Sequence, residues 1–449
     1  MTLYAKWIEN TVETYYTVTF NSNGGSSVSS QSVKKGEKLN QPADPTRSGY
    51  IFMGWYKNSS LTQAWNFATD VVNSDITLYA KWEESNEIPI DEAHFPDENF
   101  RESISNRIDK DKNGMLSESE LEVTEIYVSF RGISNLKGIE YFTKLTDLKC
   151  NGNQLSNLDL RKNTVLKKLD CGFNQFNTLD VSKNTTLEEL DCYSNQLSNL
   201  DVSKNTALKK LICGSNQLSN LDVSKNTALN ELNCSSNQLS NLDVSKNTTI
   251  MVLYCGGNQL SNLDVSKNTV LKWLICSSNQ LSNLDVSKNT GLTVLYCDSN
   301  QLSNLDVSKN TALLGLHCSD NNLTSLNVSE NTSLTGLYCY RNDYKYVDIS
   351  TLDLKELNYR SDKNDPVALD KKNKRLVFAG DPDVISVKEK TSYTFDKKVS
   401  KIKVSKKKVL KVKKKGNKVI IEGKKTGYTY VTAYGKKGEI LDFWAVEVK

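Results

Sequence analysis

Ten cysteines stand at one fixed interval. Cys150, Cys171, Cys192, Cys213, Cys234, Cys255, Cys276, Cys297, Cys318 and Cys339 are each 21 residues from the next, and they are all the cysteines in the 449-residue chain. A clean copy of the surrounding unit runs from Leu208 to Ala228, LKKLICGSNQLSNLDVSKNTA. Self-similarity at such a period is the mark of a solenoid in which each copy is one coil. A single coil cannot bury its apolar side, so each must lean on its neighbours.

The unit has two similar halves. The first reads L-x-x-L-x-C-x-x-N through Leu208, Leu211, Cys213 and Asn216; the second reads L-x-x-L-x-V-x-x-N through Leu218, Leu221, Val223 and Asn226. This is the leucine-rich-repeat pattern. In each half the Leu-x-Cys or Leu-x-Val step alternates inward and outward, as a short strand does. The spacing therefore predicts two parallel sheets on two sides of a flattened coil, with no long helix. At roughly 4.8 Å per coil, ten coils give a core on the order of 50 Å long.

Asparagines form two further columns, one from Asn153 to Asn342 and one from Asn163 to Asn331. Turns inside a stack have backbone groups without water, and amide side chains can satisfy them from coil to coil. That structural role is favoured over glycosylation, although many of these sites read N-x-T. Cysteine at an inward position behaves as a small hydrophobe. Neighbours in the column lie one strand spacing apart, slightly too far for a relaxed disulfide. A buried reduced ladder is expected, ahead of disulfides; metal binding comes third, since CxxC spacing is absent.

The whole chain carries only two histidines, His94 and His317, which argues against imidazole-based catalysis. Carboxylate neighbours such as Glu188 and Glu189 point to opposite faces of a strand, not across a cleft. No enzyme is expected. No apolar run reaches the length of a membrane span. Residues 385–449 hold 19 Lys against 6 Asp or Glu, about +13, in a chain of net charge +4, so residues 1–384 sum to about −9. The opening MTLYAKW repeats ITLYAKW at Ile76 to Trp82. The chain thus looks like the C-terminal part of a longer protein, with any export signal upstream.

Residues 17–82 contain TVTFNSNGG, VKKGEKL, GYIFMGWY and ITLYAKW, alternating apolar strands punctuated by Asn-Gly-Gly and Ser-Gly turns. This segment resembles the Listeria–Bacteroides repeat of bacterial surface proteins, which implies a β-grasp-like module. Residues 1–16 would be the remnant of another copy with its linker, and 83–90 a linker. Trp55 and Trp82 are expected in the core.

Residues 91–144 change period. Phe95, Phe100, Ile104 and Ile108 predict a short helix entered after Pro96-Asp97. DKDKNGMLSESE follows. Asp109, Asp111, Asn113, Gly114, Ser117 and Glu120 match positions 1, 3, 5, 6, 9 and 12 of the EF-hand calcium loop, with the Met115 carbonyl at position 7. Oxygen ligands, a turn glycine and a terminal carboxylate suit a seven-coordinate hard cation. Structural Ca2+ is the expected cofactor; a loop that merely keeps the shape is the alternative. The segment resembles the helical cap preceding leucine-rich repeats in exported Gram-positive proteins. Residues 133–145, ISNLKGIEYFTKL, would be a first, atypical, internalin-like coil.

The ten repeats occupy 145–353. The second half-repeat, LSNLDVSKNT, barely changes, whereas the first varies beside Leu and Cys. Early coils place Asp147, Lys149, Lys168, Asp170, Glu189, Asp191, Lys210 and Glu231 there. From the sixth coil the same stripe holds Val252, Tyr254, Trp273, Ile275, Val294, Tyr296, His317, Tyr338 and Tyr340. Positions two apart share a face, and equivalent positions in adjacent coils are neighbours. These residues are expected to form one exposed apolar and aromatic binding patch. β-Propensity alone, or drift among copies, would also produce it.

Residues 354–383 are expected to cap the last coil and link onward. Residues 384–449 alternate apolar and polar residues, and GNKVIIEGKKTGYTYVTAYG resembles group 2 bacterial immunoglobulin-like domains. Its lysines belong on a solvated sheet face, with contact to an anionic wall polymer as the lesser option. The expected fold class is mainly β: a leucine-rich-repeat solenoid with two parallel sheets, flanked by the β-grasp-like module, a short helical cap and a small Ig-like β-sandwich. The resemblance to internalin-type adhesins implies a noncatalytic surface or secreted protein of a Gram-positive bacterium. It would bind an extracellular protein or glycan, without nucleic-acid partners. An architectural spacer, or an ancillary module of an upstream enzyme, is the alternative.

Overall fold

A computed structural model describes residues 3–4, 12–47, 49–84, 86–353, 355, 357–359, 367–379 and 383–449. Most of the remnant expected at 1–16, and parts of the 354–383 cap, lie outside them. The chain divides into two compact units, Met1–Val123 and Thr124–Lys449.

In the first unit, alternation of apolar and polar residues builds strands β1 (Tyr15–Asn21), β2 (Gln31–Lys34), β3 (Tyr50–Tyr56) and β4 (Ile76–Glu84). They form one sheet in the order β2-β1-β4-β3, with β1 and β4 parallel at its centre. Val18, Phe20, Trp55, Trp65, Leu78 and Ala80 fill its core. Trp82 is half-buried, and its indole donates to the Ser22 carbonyl at 2.8 Å. A Cβ on Gly25 would sit 2.4 Å from the Trp82 ring, so the second glycine of Asn-Gly-Gly is required by close approach.

A short strand β5 (Ile88–Pro89) pairs antiparallel with β6 (Met115–Leu116), and helix α1 (Glu98–Arg107) lies between them in the chain. Asp97 caps α1 by accepting the Phe100 N–H at 3.0 Å, Glu98 and Arg107 suit the helix dipole, and Phe100 and Ile104 face inward beside Phe95. A single turn, α2 (Glu118–Leu121), follows.

The second unit is dominated by an eleven-stranded parallel sheet in strict chain order. It opens with β7 (Glu125–Tyr127) and continues through β8–β17, ten three-residue strands from Asp147–Lys149 to Gly336–Tyr338. The first coil therefore starts earlier than the 133–145 segment, because Ile126 already supplies an inward strand position. In a typical coil Leu208, Leu211, Cys213, Leu218, Leu221 and Val223 are all buried.

Among the described residues the second parallel sheet is absent. In that half of the coil the Gln217 N–H bonds the Leu197 carbonyl at 2.9 Å, and the chain then turns. Asp222 accepts the Ser224 N–H at 2.8 Å, and the Asn226 N–H closes on the Val223 carbonyl at 2.9 Å. Asp, Asn and Ser capture local backbone groups and so prevent a ladder. The parallel sheet and the turns opposite it both bury their apolar side chains, Leu211 and Cys213 on one side and Leu218, Leu221 and Val223 on the other.

Beyond the last coil, β18 (Tyr346–Asp348), β19 (Val367–Asp370) and β20 (Arg375–Phe378) form an antiparallel sheet. The final strands are β21 (Asp383–Ile385), β22 (Lys390–Thr394), β23 (Lys401–Val404), β24 (Leu410–Lys415), β25 (Lys418–Gly423), β26 (Gly427–Tyr434) and β27 (Ile440–Val448). They make a two-sheet sandwich, β21-β27-β26-β23 over β22-β25-β24, around Val419, Ile421, Val431, Trp444 and Val446. Arg375 ties the two parts together: Nη2 donates to the Ile440 carbonyl at 2.8 Å while Nε pairs with buried Asp370 at 3.1 Å.

Candidate functional site

Each strand from β8 to β17 reads x-Leu-x, so burying the leucine turns both flanking side chains outward. Strand register aligns Val252, Trp273, Val294, Gly315 and Gly336 in one column, and Tyr254, Ile275, Tyr296, His317 and Tyr338 in the next. Tyr340 lies just past Cys339. The structure thus brings all nine stripe residues onto one end of one face. Trp273 and Tyr296 are the most open, at 45% and 38% exposure, and the other seven are half-buried.

His317 is the hub of the far end. Its ring meets Tyr296 edge-on at 5.7 Å between centroids, Tyr338 at 5.3 Å and Tyr340 at 6.2 Å. Its Nδ1 lies 3.3 Å from Asp298, and its Nε2 has no partner among the described residues. Three positions escaped sequence reasoning: Asp298, Gly315 and Gly336. The glycines take outward positions where other coils carry Trp or Val, and Tyr296 Cε1 stands 3.8 Å from where a Gly315 Cβ would be. The first column thus empties where the second gains rings, which makes a shelf beside them. The only signal was a glycine inside a strand, which points to close backbone approach.

The other end of the face is charged and only partly paired, with Asp170 and Asp191 neighbours in the second column. Lys168 bridges Glu189 at 2.8 Å, Lys210 bridges Glu231 at 3.1 Å, and Lys149 lies over the Tyr127 ring at 4.6 Å. Burial, with Glu231 beside it, raises the Tyr254 hydroxyl, so it stays a neutral donor where charge gives way to rings.

In the first unit, Asp109, Asp111 and Glu120 each offer an oxygen within 4.8 Å of the others. Asp109 Oδ2 accepts the Gly114 N–H at 3.1 Å, while its Oδ1 is buried without a partner. Asp111 accepts the Asn113 N–H at 3.1 Å, and Asn113 Oδ1 accepts the Met115 N–H at 2.7 Å. Glu120 takes the Lys110 N–H at 2.6 Å on one oxygen and the Ser117 N–H at 2.9 Å on the other. Burial works to raise that carboxyl, yet these bonds hold it below the ordinary range, so it is ionised. The three carboxylates of the expected ligand set converge. Asn113 and Ser117 bond to loop neighbours, and Met115 lies in β6. An ionised carboxylate with an orphaned, buried oxygen beside it fits a hard cation.

Comparison with known proteins agrees with the geometry. Residues 16–81 match the Listeria-Bacteroides repeat domain. Over 83 residues the chain is 37% identical to Internalin H of Listeria monocytogenes and 51% identical to a protein of Evansella cellulosilytica described as a Gly-rich membrane protein. Each match covers 18% of this chain, which spans only 14% and 9% of those relatives' lengths. The solved functional domain of InlJ from Listeria monocytogenes, which includes a cysteine ladder, superposes with a TM-score of 0.59 at 27% identity, covering 82% of this chain and all of that one. Fold and stripe together define a leucine-rich-repeat solenoid protein. More narrowly, it is an internalin-like leucine-rich-repeat protein with a Listeria-Bacteroides repeat module. Among the described residues no helix is long and apolar enough to cross a membrane.

Proposed function

We propose that this chain belongs to a noncatalytic surface or secreted protein, an adhesin of Gram-positive type, that binds an extracellular protein or glycan through the stripe from Val252 to Tyr340. One observation carries this: a two-column apolar and aromatic stripe continues a sheet face whose other end is lined by charged side chains. Contiguous exposed aromatic surface of this kind is characteristic of binding sites. The Gly315 and Gly336 shelf gives a flat ligand room against the Tyr296 and His317 rings. The test is the combined variant Tyr254→Ser, Trp273→Ser, Tyr296→Ser, scored on arrays of extracellular proteins and glycans. Loss of binding with an unchanged melting temperature supports the assignment; unchanged binding by the folded variant rejects it and favours a spacer.

Calcium belongs to the same proposal. Asp109, Asp111 and Glu120 would hold it, with Asn113, Ser117 and the Met115 carbonyl completing the shell. Bound there, Ca2+ would supply charge neutralisation and loop rigidity, and no chemistry of reaction.

A further inference from the structure

The outer face of the three-stranded sheet β22-β25-β24 is a predominantly positive surface. Val419, Ile421 and Tyr393 point into the sandwich core, so the alternate residues point out. Register then sets three rows across the sheet: Thr394, Lys418 and Lys415; Ser392, Ile420 and Lys413; Lys390, Glu422 and Lys411. That is five lysines to one carboxylate, and Glu422 is engaged by Lys411 at 3.5 Å. Among the described residues Lys413, Lys415 and Lys418 have no carboxylate within salt-bridge reach.

The solenoid shows that this chain can balance its lysines. Lys168, Lys209 and Lys210 each bridge a glutamate of the next or previous coil. The sandwich instead leaves like charges side by side, which opposes compaction by self-repulsion. Successive outward lysines on β24 stand roughly 6.7 Å apart along the strand, and neighbouring strands roughly 4.8 Å across. Hydroxyls of Ser392 and Thr394 lie on the same face as added donors.

We propose that this face binds a linear phosphodiester polymer, laid along β24 with successive phosphates on Lys413 and Lys415, and with Lys418 and the Thr394 hydroxyl beside them. Charge complementarity and the repeat of lysines at alternate positions select a polymer bearing one phosphate per short unit over a small anion. The site is independent of the aromatic stripe and would give the protein a second point of attachment.

The experiment uses the full chain and immobilised poly(glycerol phosphate) lipoteichoic acid. The sheet variant Lys413→Gln, Lys415→Gln, Lys418→Gln is compared with a solenoid variant of equal charge change, Lys204→Gln, Lys225→Gln, Lys246→Gln. The expected result is at least a tenfold loss for the sheet variant, less than twofold for the solenoid variant, and a weaker salt dependence in the former. The variant Lys413→Arg, Lys415→Arg, Lys418→Arg should bind like the parent, as should the triple serine variant of the stripe. No binding by the parent overturns the proposal. Equal losses in both glutamine variants reduce it to net charge and also overturn it. Tighter lysine-dependent binding to heparin than to the phosphate polymer rejects the phosphodiester assignment.

Discussion

The Oδ1 of Asn216 accepts the Leu197 N–H at 3.0 Å, so this side chain bonds to the coil before it as acceptor as well as donor. Its Nδ2 donates to the Cys192, Cys213 and Gly214 carbonyls at 3.0 to 3.2 Å. Asn226 in the second column also donates twice, to Val202 at 3.0 Å and Asn205 at 2.8 Å, but its Oδ1 is buried without a partner.

That asymmetry makes a prediction about stability. Removing Asn216 strands the buried Leu197 N–H, while the three carbonyls it served each keep another donor; removing Asn226 breaks two bonds, leaves the Val202 and Asn205 carbonyls with their backbone donors and relieves one orphaned oxygen. Leaving a buried polar group unsatisfied costs about 1–3 kcal/mol. Asn216→Ala should therefore destabilise by about 3 kcal/mol and Asn226→Ala by about 1–2 kcal/mol. Urea denaturation of both variants checks the order.

All ten cysteines are free and fully buried, in a column that continues each strand. Burial pushes the thiols of Cys234 and Cys339 up to about 12, and the others are raised as well. The native protein should therefore not react with iodoacetamide at pH 8, and all ten thiols should react once it is unfolded. Cys213→Ser should destabilise by about 1–3 kcal/mol, since a buried hydroxyl replaces a small hydrophobe. Mass spectrometry of labelled protein and thermal melts test both.

Asp191 faces outward but is mostly covered. Burial raises its carboxyl, with the Tyr193 N–H opposing and Asp170 adding to the rise. A raised folded value favours the protonated form. The resulting stability is full below the unfolded carboxylate range and is lost as pH climbs through the folded value. Asn233 holds the same column position and accepts the Ser235 N–H at 3.1 Å, as Asp191 accepts that of Tyr193 at 2.9 Å. Asp191→Asn should raise the melting temperature by roughly 2 °C at pH 7 and leave it unchanged near pH 3, as read by thermal melts.

Calcium at millimolar concentration should stabilise the Met1–Val123 unit by about 1–3 kcal/mol. Asp109→Asn and Glu120→Gln should each abolish that increment. Calorimetric titration and melts with and without chelator decide it; melts that ignore calcium would reject the site.

The coil was legible because inward leucines, cysteines and asparagines recur without a slip. The second sheet was misread because Leu-x-Val alternation looks alike in a strand and in an extended turn; Asp222 and Asn226 decide between them. Nor could sequence show that Ser194, Ser215 and Ser236 take φ near +54° in the turn after each cysteine, since serine does not mark that conformation. The start of the solenoid at Glu125 carries Ile126 and Val128 where the next coil carries Leu148 and Cys150. The stripe itself was legible from strand alternation alone, whereas its shelf and the Asp298 contact needed the register of neighbouring coils.

Site-specific photocrosslinking tests the binding face most directly. A photoreactive residue is placed at position 273 in one protein and at position 225, exposed on the invariant half of the coil, in another. Both are exposed to the same extracellular proteins and glycans. A discrete adduct from 273 and none from 225 is the predicted result; an adduct from 225 alone would contradict it.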